Sequence, residues 1–302
     1  MNVTLRQLRV FRLVAEGRNF SRAGDEIGLT QPAVSRAIVE LESQLGLRLI
    51  DRTTREVTLT AAGQSLALRL NRVLDDLDQT FQDIAGLASA HSGKVRVASS
   101  PTLSANLMPA CIAACTQQEP GIKFMLLDRI QHDVLVSVRQ GEVDFGVVVE
   151  PTSVDDLDCE SILQDPFVLV VKRDHALARR KSVTWSALRG ASLVLLDHAS
   201  GSRRLIDEAL AQHGADHVVE QELGHPTTVF RMVEAGIGIS VMPALAVPPT
   251  GLRKLAVLPL VPRVARTIML VRRRNRALSP VAERVWSLVG ETARVRRPSQ
   301  RD

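Results

Sequence analysis

Residues 30–45, TQPAVSRAIVELESQL, decide how the rest of the chain is read. Thr30 stands where a hydroxyl can accept from an orphan N–H at a helix start. Pro32 falls in the first turn, where its missing N–H breaks no intrahelical bond. Val34, Ile38, Leu41 and Leu45 follow one another at gaps of four, three and four, which is one apolar face of a helix. Pro32, Ala33 and Arg36 point away from that face, Ser35 lies on its flank, and Gln31 sits at the N-terminal tip. A rod buried on one side, with Gln, Ser and Arg at its exposed N-terminal end, suits base reading in the major groove of double-stranded DNA. An ordinary surface helix has the same periodicity, so the neighbouring segments must decide.

Upstream, Leu5, Leu8, Phe11, Leu13 and Val14 predict a helix over 4–16 that Gly17 ends. Ser21 can cap a second helix over 22–27, and Gly28-Leu29 makes the turn into 30–45. Two short helices joined by a tight turn, the second with a polar tip, form the helix-turn-helix pattern. Ser21 and Arg22 are then placed to touch phosphate. Downstream, 47–50 and 56–59 alternate like two short strands around Asp51-Arg52-Thr53-Thr54-Arg55. This reads as a wing whose Arg52 and Arg55 enter the adjacent minor groove or grip phosphates.

Bulk properties narrow the classes. A chain of 302 residues is long enough for two domains. A hydrophobic fraction of 45% and a charged fraction of 24% are those of a soluble globular protein. No apolar run approaches the roughly 18 residues that span a bilayer, and MNVTLRQLRV has no signal-peptide core. Three cysteines supply no disulfide framework. The expectation is a cytoplasmic protein without a membrane partner. Net charge is +5, yet residues 1–93 hold 11 Arg, no Lys and 11 acids, whereas 263–302 hold 11 Arg and 3 acids. DNA contact near the N-terminus therefore rests on a few placed arginines and a modest salt dependence. Aromatic residues at 3%, with no Tyr, argue against stacking on single strands.

Thr60 caps a long predicted helix reaching about residue 88. Leu66, Leu70, Val73, Leu77, Phe81 and Ile84 mark one seam along it. Such a helix spans roughly 43 Å, too far to bury its seam on the small domain before it. Pairing with a second copy is the expected solution; packing on the next domain is the alternative. Residues 91–93 read as a hinge.

The pattern then becomes alternating strands (95–99, 122–127, 145–149, 167–171, 192–196, 217–220, 237–241, 267–271) and helices (104–117, 131–139, 185–188, 202–213, 227–235, 280–291). Alternation of this kind predicts open α/β sheets, which bind ligands at the carboxyl ends of strands. Three such places are polar: Ser99-Ser100-Pro101-Thr102, residues 198–202 ahead of Arg203-Arg204, and His225-Pro226-Thr227. Their hydroxyls and helix-start N–H groups suit a small, anionic molecule. Cys111 and Cys115 are four apart, a spacing that can bind metal or sense oxidant, but Ile112, Ala113 and Ala114 between them favour buried packing. The seven His lack ligand spacing, and no Gly-x-Ser-x-Gly elbow or carboxylate pair appears. Neither enzyme chemistry, a cofactor nor a metal is expected. A solute-binding module whose N-terminal helices only oligomerise it is the rival reading.

Residues 20–63, FSRAGDEIGLTQPAVSRAIVELESQLGLRLIDRTTREVTLTAAG, resemble the DNA-binding region of LysR-type transcriptional regulators. Ser21, Arg22-Ala23, Thr30 to Ser35, Leu41-Glu42, Leu45-Gly46, Arg52-Thr53, Leu59-Thr60 and Gly63 carry the likeness. Gly24 departs from it, since Ala is usual there; Gly costs a helix about 0.5–1 kcal/mol, so a looser second helix is expected. Looser matches follow at Arg96-Val97-Ala98, Pro101-Thr102-Leu103, Gly141-Glu142-Val143-Asp144 and Gly236-Ile237-Gly238-Ile239.

The resemblance implies an all-α winged helix-turn-helix domain (1–59), a dimerisation linker helix and hinge (60–93), and an α/β effector-binding domain (94–292) like two-lobed periplasmic binding proteins. Lobe I would comprise 94–165 and 267–292, lobe II 166–266, and a basic tail 293–302 would be disordered. Gln31 and Arg36 would read bases, Pro32 and Ala33 would meet a thymine methyl, and Ser21, Arg22, Thr30, Ser35, Arg52, Thr53 and Arg55 would hold the backbone. Ser99, Ser100, Thr102, Arg129, Val148, Ser202 and Thr227 would line the effector cleft. A homodimer or homotetramer working with RNA polymerase is implied as well.

Overall fold

The protein is described by a computed structural model covering residues 2–52, 57–85, 92–248 and 252–295, with residues 52, 72, 75–76, 78–80 and 82–85 by backbone alone. The chain divides into two compact units, Met1–Ala88 and Ser89–Asp302.

The first unit begins with three helices, α1 (Leu5–Gly17), α2 (Phe20–Ile27) and α3 (Gln31–Leu45). They are followed by the hairpin β1 (Ile50–Arg52) and β2 (Val57–Leu59) and the long α4 (Ala61–Ala85). Thr4 and Gln7 form a reciprocal capping box at the start of α1. The inward face of α1 is Val10, Phe11 and Val14, all at 0% exposure, while Leu5 lies at 37%, outside the core expected for it. Gly17 is the last helical residue; Arg18, at φ 48°, makes the left-handed exit. Asn19 caps α2 by accepting from the Arg22 N–H, which leaves Ser21 inside the first turn and not at the cap. Thr30 holds the cap position of α3, but its side chain makes no capping bond.

The first wing strand starts three residues later than its alternation suggests. Glu42 Oε1 accepts from the Leu49 and Ile50 N–H groups at 2.8 and 3.1 Å, so 47–49 form a turn pinned to α3. Leu47 is left 58% exposed. Thr60 does cap α4: its hydroxyl accepts from the Gly63 N–H at 3.0 Å and donates to the Arg48 carbonyl at 2.7 Å. A Cβ at Gly63 would lie 2.0 Å from the Leu49 carbonyl oxygen, so only glycine allows α4 this close to the wing.

The apolar seam of α4 divides. Leu70 and Leu74 are buried, with Leu66 partly buried, in the core shared with α1 and α3. Val73 and Phe81 remain 58% and 56% exposed. The small domain thus covers the near end of the seam, including Leu74, which the four-three spacing passes over. Beyond it the seam is open, and the Ile84 side chain lies outside the described atoms.

In the second unit the order is β3 (Gly93–Ser99), α5 (Pro101–Asn106), α6 (Met108–Gln118), β4 (Ile122–Asp128), α7 (Gln131–Gln140), β5 (Phe145–Val149) and β6 (Leu157–Lys172). Then come β7 (Val183–Thr184), β8 (Ser192–Leu196), α8 (Arg203–Gln212), β9 (Val218–Leu223) and α9 (Pro226–Ala235). The chain ends with β10 (Ser240–Pro243), β11 (Leu255–Val261), β12 (Ala265–Arg273) and α10 (Pro280–Val295). The segment expected as one helix over 104–117 is two, α5 and α6, and residues 185–188 form a single 3-10 turn. Helix α10 continues to Val295 with Ala293 fully buried, so 293–295 belong to the fold and not to a tail.

β6 organises both lobes. Its first half pairs antiparallel with β12, which leads through β5 and β3 to β4. Its second half lies between β10 and β11. The strand passes from one core to the other at Pro166, opposite Ala265. One core gathers Phe145, Met108, Ile268 and Val285; the other gathers Phe167, Trp185, Leu195 and Leu210.

Candidate DNA-binding surface and effector cleft

On α3 the buried residues are Val34, Ile38 and Leu41, each at 0% exposure. Gln31, Pro32 and Arg36 are exposed, and Ala33 and Ser35 are half-buried. The two side chains expected to reach bases therefore face away from the core. No ion-pair partner for Arg36 occurs among the described residues. Glu40, the nearest acid on the outer side, accepts from Gln7 Nε2 of α1 at 3.2 Å, which draws it toward α1. Ser21, Arg22 and Thr30 are exposed beside this tip. Arg22 Nε pairs with Glu26 at 3.1 Å, both side chains largely in solvent. Exposed pairs of this kind contribute at most about 1 kcal/mol, so a phosphate can compete for the guanidinium. Thr53 and Arg55 lie outside the described residues, and Arg52 is described by backbone only.

Gly24 has a specific role. A Cβ there would sit 2.5 Å from the Leu29 carbonyl oxygen. The Gly24 carbonyl also accepts from the Leu29 N–H at 2.9 Å. Rather than loosening α2, the missing side chain lets the turn into α3 fold tightly against it.

In the second unit a cleft of about 600 Å³ opens at the start of α5, the end of β4, the start of α9 and the 3-10 turn Ala244–Ala246. Thr102, Arg129 and Thr227 line it, together with Asp128, Ile130 and Phe230. The other expected residues do not. Ser99 is fully buried; its carbonyl accepts from the Ser104 hydroxyl and the Arg129 N–H at 3.1 Å each. Ser100 is 7% exposed at the cap of α5. Val148 is wholly buried in a cluster with Val134 and Val138, a packing residue. Ser202 is wholly buried, its Oγ accepting from Arg266 Nη1 at 2.7 Å.

Arg129 reaches the cleft already engaged. Its Nη1 and Nη2 donate to the two carboxylate oxygens of Glu142 at 2.7 Å, and Nη1 also donates to Ser137 Oγ at 2.8 Å. The Glu142 bond holds the guanidinium above its ordinary pKa. Sequence spacing carries no sign of that pair, since the partners are 13 residues apart across a helix and a turn.

Asp165 and Arg266 form a second unforeseen feature, 101 residues apart and facing each other where β6 crosses the lobes. Arg266 Nε donates to Asp165 Oδ2 at 2.9 Å, and the Leu245 N–H donates to Oδ1 at 2.9 Å. Both side chains are at 2% exposure or less. Burial pushes the Asp165 carboxyl up and the Arg266 guanidinium down, against their mutual attraction. Through Ser202 the same arginine ties this crossing to the start of α8.

Cys111 and Cys115 are both at 0% exposure in the core of the first lobe. Burial, then Glu119, pushes the Cys115 thiol up, away from the reactive thiolate.

Among the described residues no helix is long and apolar enough to cross a membrane. Residues 5–64 match the family of bacterial regulatory helix-turn-helix proteins of the lysR family, and residues 88–294 match the LysR substrate binding domain. The chain is 55% identical over 289 residues to the uncharacterised HTH-type transcriptional regulator YfeR of Shigella flexneri, spanning 96% of this chain and 94% of that one. Full-length OxyR from Pseudomonas aeruginosa, solved with one cysteine changed to aspartate, shares the fold with a TM-score of 0.73 at 23% identity, over 100% of this chain and 99% of that one. Full-length CbnR, solved in complex with its target DNA, does so with a TM-score of 0.70 at 21% identity, over 96% and 99%. With an exposed polar tip on α3 and an α/β unit holding a cleft, the chain belongs to the LysR family: it is a DNA-binding transcriptional regulator, not an enzyme, with a helix-turn-helix domain and an effector-binding domain for a small molecule.

Proposed function

We propose that α3 enters the major groove with Gln31 and Arg36 on base edges and Pro32 and Ala33 against a thymine methyl. Arg36 suits guanine O6 and N7, which a guanidinium contacts in bidentate fashion. Ser21, Arg22, Thr30, Ser35 and the wing residues Arg52, Thr53 and Arg55 position the backbone. The observation that carries this reading is the exposed Arg36, with no ion-pair partner among the described residues, on the face of α3 opposite Val34, Ile38 and Leu41. A mobility-shift assay with DNA from upstream of the protein's own gene tests it. Sequence-selective binding supports the reading; equal affinity for scrambled DNA refutes it.

The protein acts as a homodimer or homotetramer built through the open part of the α4 seam, so that two recognition helices reach successive major grooves. Val73 and Phe81, exposed with Leu77 between them, support this. Introducing Val73→Glu and Phe81→Glu together is expected to shift sedimentation toward monomer while the winged-helix core, which excludes both residues, keeps its fold.

The regions 1–59, 60–93 and 94–292 serve as DNA-binding, linking and effector-binding parts, and the protein works in the cytoplasm with RNA polymerase. The effector carries an anionic group taken by the Thr102 and Thr227 hydroxyls and the Thr227 N–H at the start of α9, beside the Thr228 and Val229 N–H groups that the His225 carbonyl already occupies. It changes DNA binding only by its differential affinity for two lobe arrangements.

A further inference from the structure

The cleft's charges do not match an effector that is only an anion. Arg129, a guanidinium expected on the cleft lining, is neutralised by Glu142. Arg231, also on the lining, donates to Glu234 at 2.8 Å. The side chain of Asp128, exposed on the lining at the end of β4, has no hydrogen-bond or ion-pair partner among the described residues. Both guanidiniums on the lining are thus engaged, Arg129 by Glu142 from outside the lining and Arg231 by Glu234, which leaves the Asp128 carboxylate as the lining charge without a counter-ion.

A second observation comes from Thr102. Its side chain borders the cleft at 8% exposure, and its hydroxyl has no hydrogen-bond partner among the described residues. The hydroxyl oxygen itself stays open to the cleft, where a ligand atom or an ordered water can bond it. Beside these polar groups Ile130, Phe230, Pro248 and Leu252 give the cleft an apolar wall. Ile130 is 44% exposed, apolar surface that a ligand skeleton would cover.

We propose that the effector is a small zwitterion on an apolar skeleton, as in an apolar α-amino acid. Asp128 takes its ammonium group, Thr102 and the start of α9 take its carboxylate, and Ile130, Phe230 and Leu252 cover its side chain. This rests on the reading of the cleft as the effector site and adds the cation and the apolar body to it.

Isothermal titration of the full chain with matched probes tests the idea. L-leucine is compared with isocaproate and isoamylamine, and L-phenylalanine with hydrocinnamate and phenethylamine. At least one amino acid is expected to bind about tenfold more tightly than either of its matched single-charge analogues, the size of one charge-assisted hydrogen bond in a partly wet site. Asp128→Asn is expected to remove the preference over the carboxylate analogue, and Thr102→Val the preference over the amine. Both variants should keep the thermal unfolding midpoint of the unliganded protein. Equal binding of the carboxylate analogue overturns the cation site. Equal binding of the amine overturns the zwitterion and, with it, the anion site proposed above. If no amino acid binds, the zwitterion falls while DNA recognition, tested separately, stands.

Discussion

Arg36 and Arg129 look alike in the sequence: each is a cation near the open end of a regular element. The fold uses them in opposite ways. Arg36 projects from α3 with no ion-pair partner among the described residues, whereas Arg129 is clasped by both oxygens of Glu142. The DNA-binding unit leaves Gln31 and Arg36 exposed on α3, where a phosphate or a base could replace water. The effector unit draws its charges together across distant segments, at Arg129–Glu142, Arg203–Glu222 and Asp165–Arg266. A surface that must meet a rigid, uniformly charged polymer profits from unpaired cations. The effector unit instead pairs its buried and half-buried guanidiniums internally and leaves the exposed Asp128 carboxylate open on the cleft.

The contrast breaks most visibly at the lobe crossing. Asp165→Asn should lower the stability of the effector unit by about 3–5 kcal/mol, because it leaves a fully buried guanidinium without its counter-charge. Replacing both partners, Asp165→Leu with Arg266→Met, should cost less than the single change. Urea unfolding followed by circular dichroism measures both, and a double variant weaker than the single would show that the pair's charges are not what holds the crossing.

Arg36→Ala should do the reverse: stability unchanged, and discrimination between specific and scrambled DNA reduced by about 1–3 kcal/mol. Competition binding at fixed salt reads this, and retained discrimination would remove Arg36 from the base-reading set. Gly24→Ala sets a propensity gain of up to about 1 kcal/mol against displacing the Leu29 carbonyl, 2.5 Å from the new Cβ. A net loss of about 1 kcal/mol is expected, given the usual 1–3 kcal/mol for such overpacking. A rise in melting temperature would mean that the turn adjusts freely.

The smallest effect is one of pH. Arg203 holds the Glu222 carboxyl below the ordinary glutamate range, first by its hydrogen bond and then by its charge. A lowered folded-state value means the stabilisation is present above the ordinary glutamate range and is lost as pH falls through the lowered one. Glu222→Gln should therefore lower the melting temperature slightly at neutral pH, leave it unchanged where the carboxyl is already protonated, and so flatten the acid side of the profile.

Locally coded features were legible because their physics is local. The apolar face of α3, the proline at its first turn, the cap at Thr60 and the alternation into an α/β unit all depend on residues a few positions apart, and each is present in the fold. Where a local reading went astray, a partner from elsewhere intervened. Asn19 took the cap from Ser21, and Glu42 turned 47–49 out of the wing strand. The small domain buried Leu74 and left Val73 outside. β11 and the first half of β6 escape a local reading because each is held by a strand distant in sequence, the second half of β6 and β12 respectively.

By itself, then, the sequence determined most of the helices and strands and which polar side chains stand at the exposed end of α3. Only the tertiary structure decided which charges remain available to a ligand. That choice follows from pairings such as Asp165 with Arg266, brought together across 101 residues, and no periodicity or spacing within a single element encodes the free energy of meeting at such a distance.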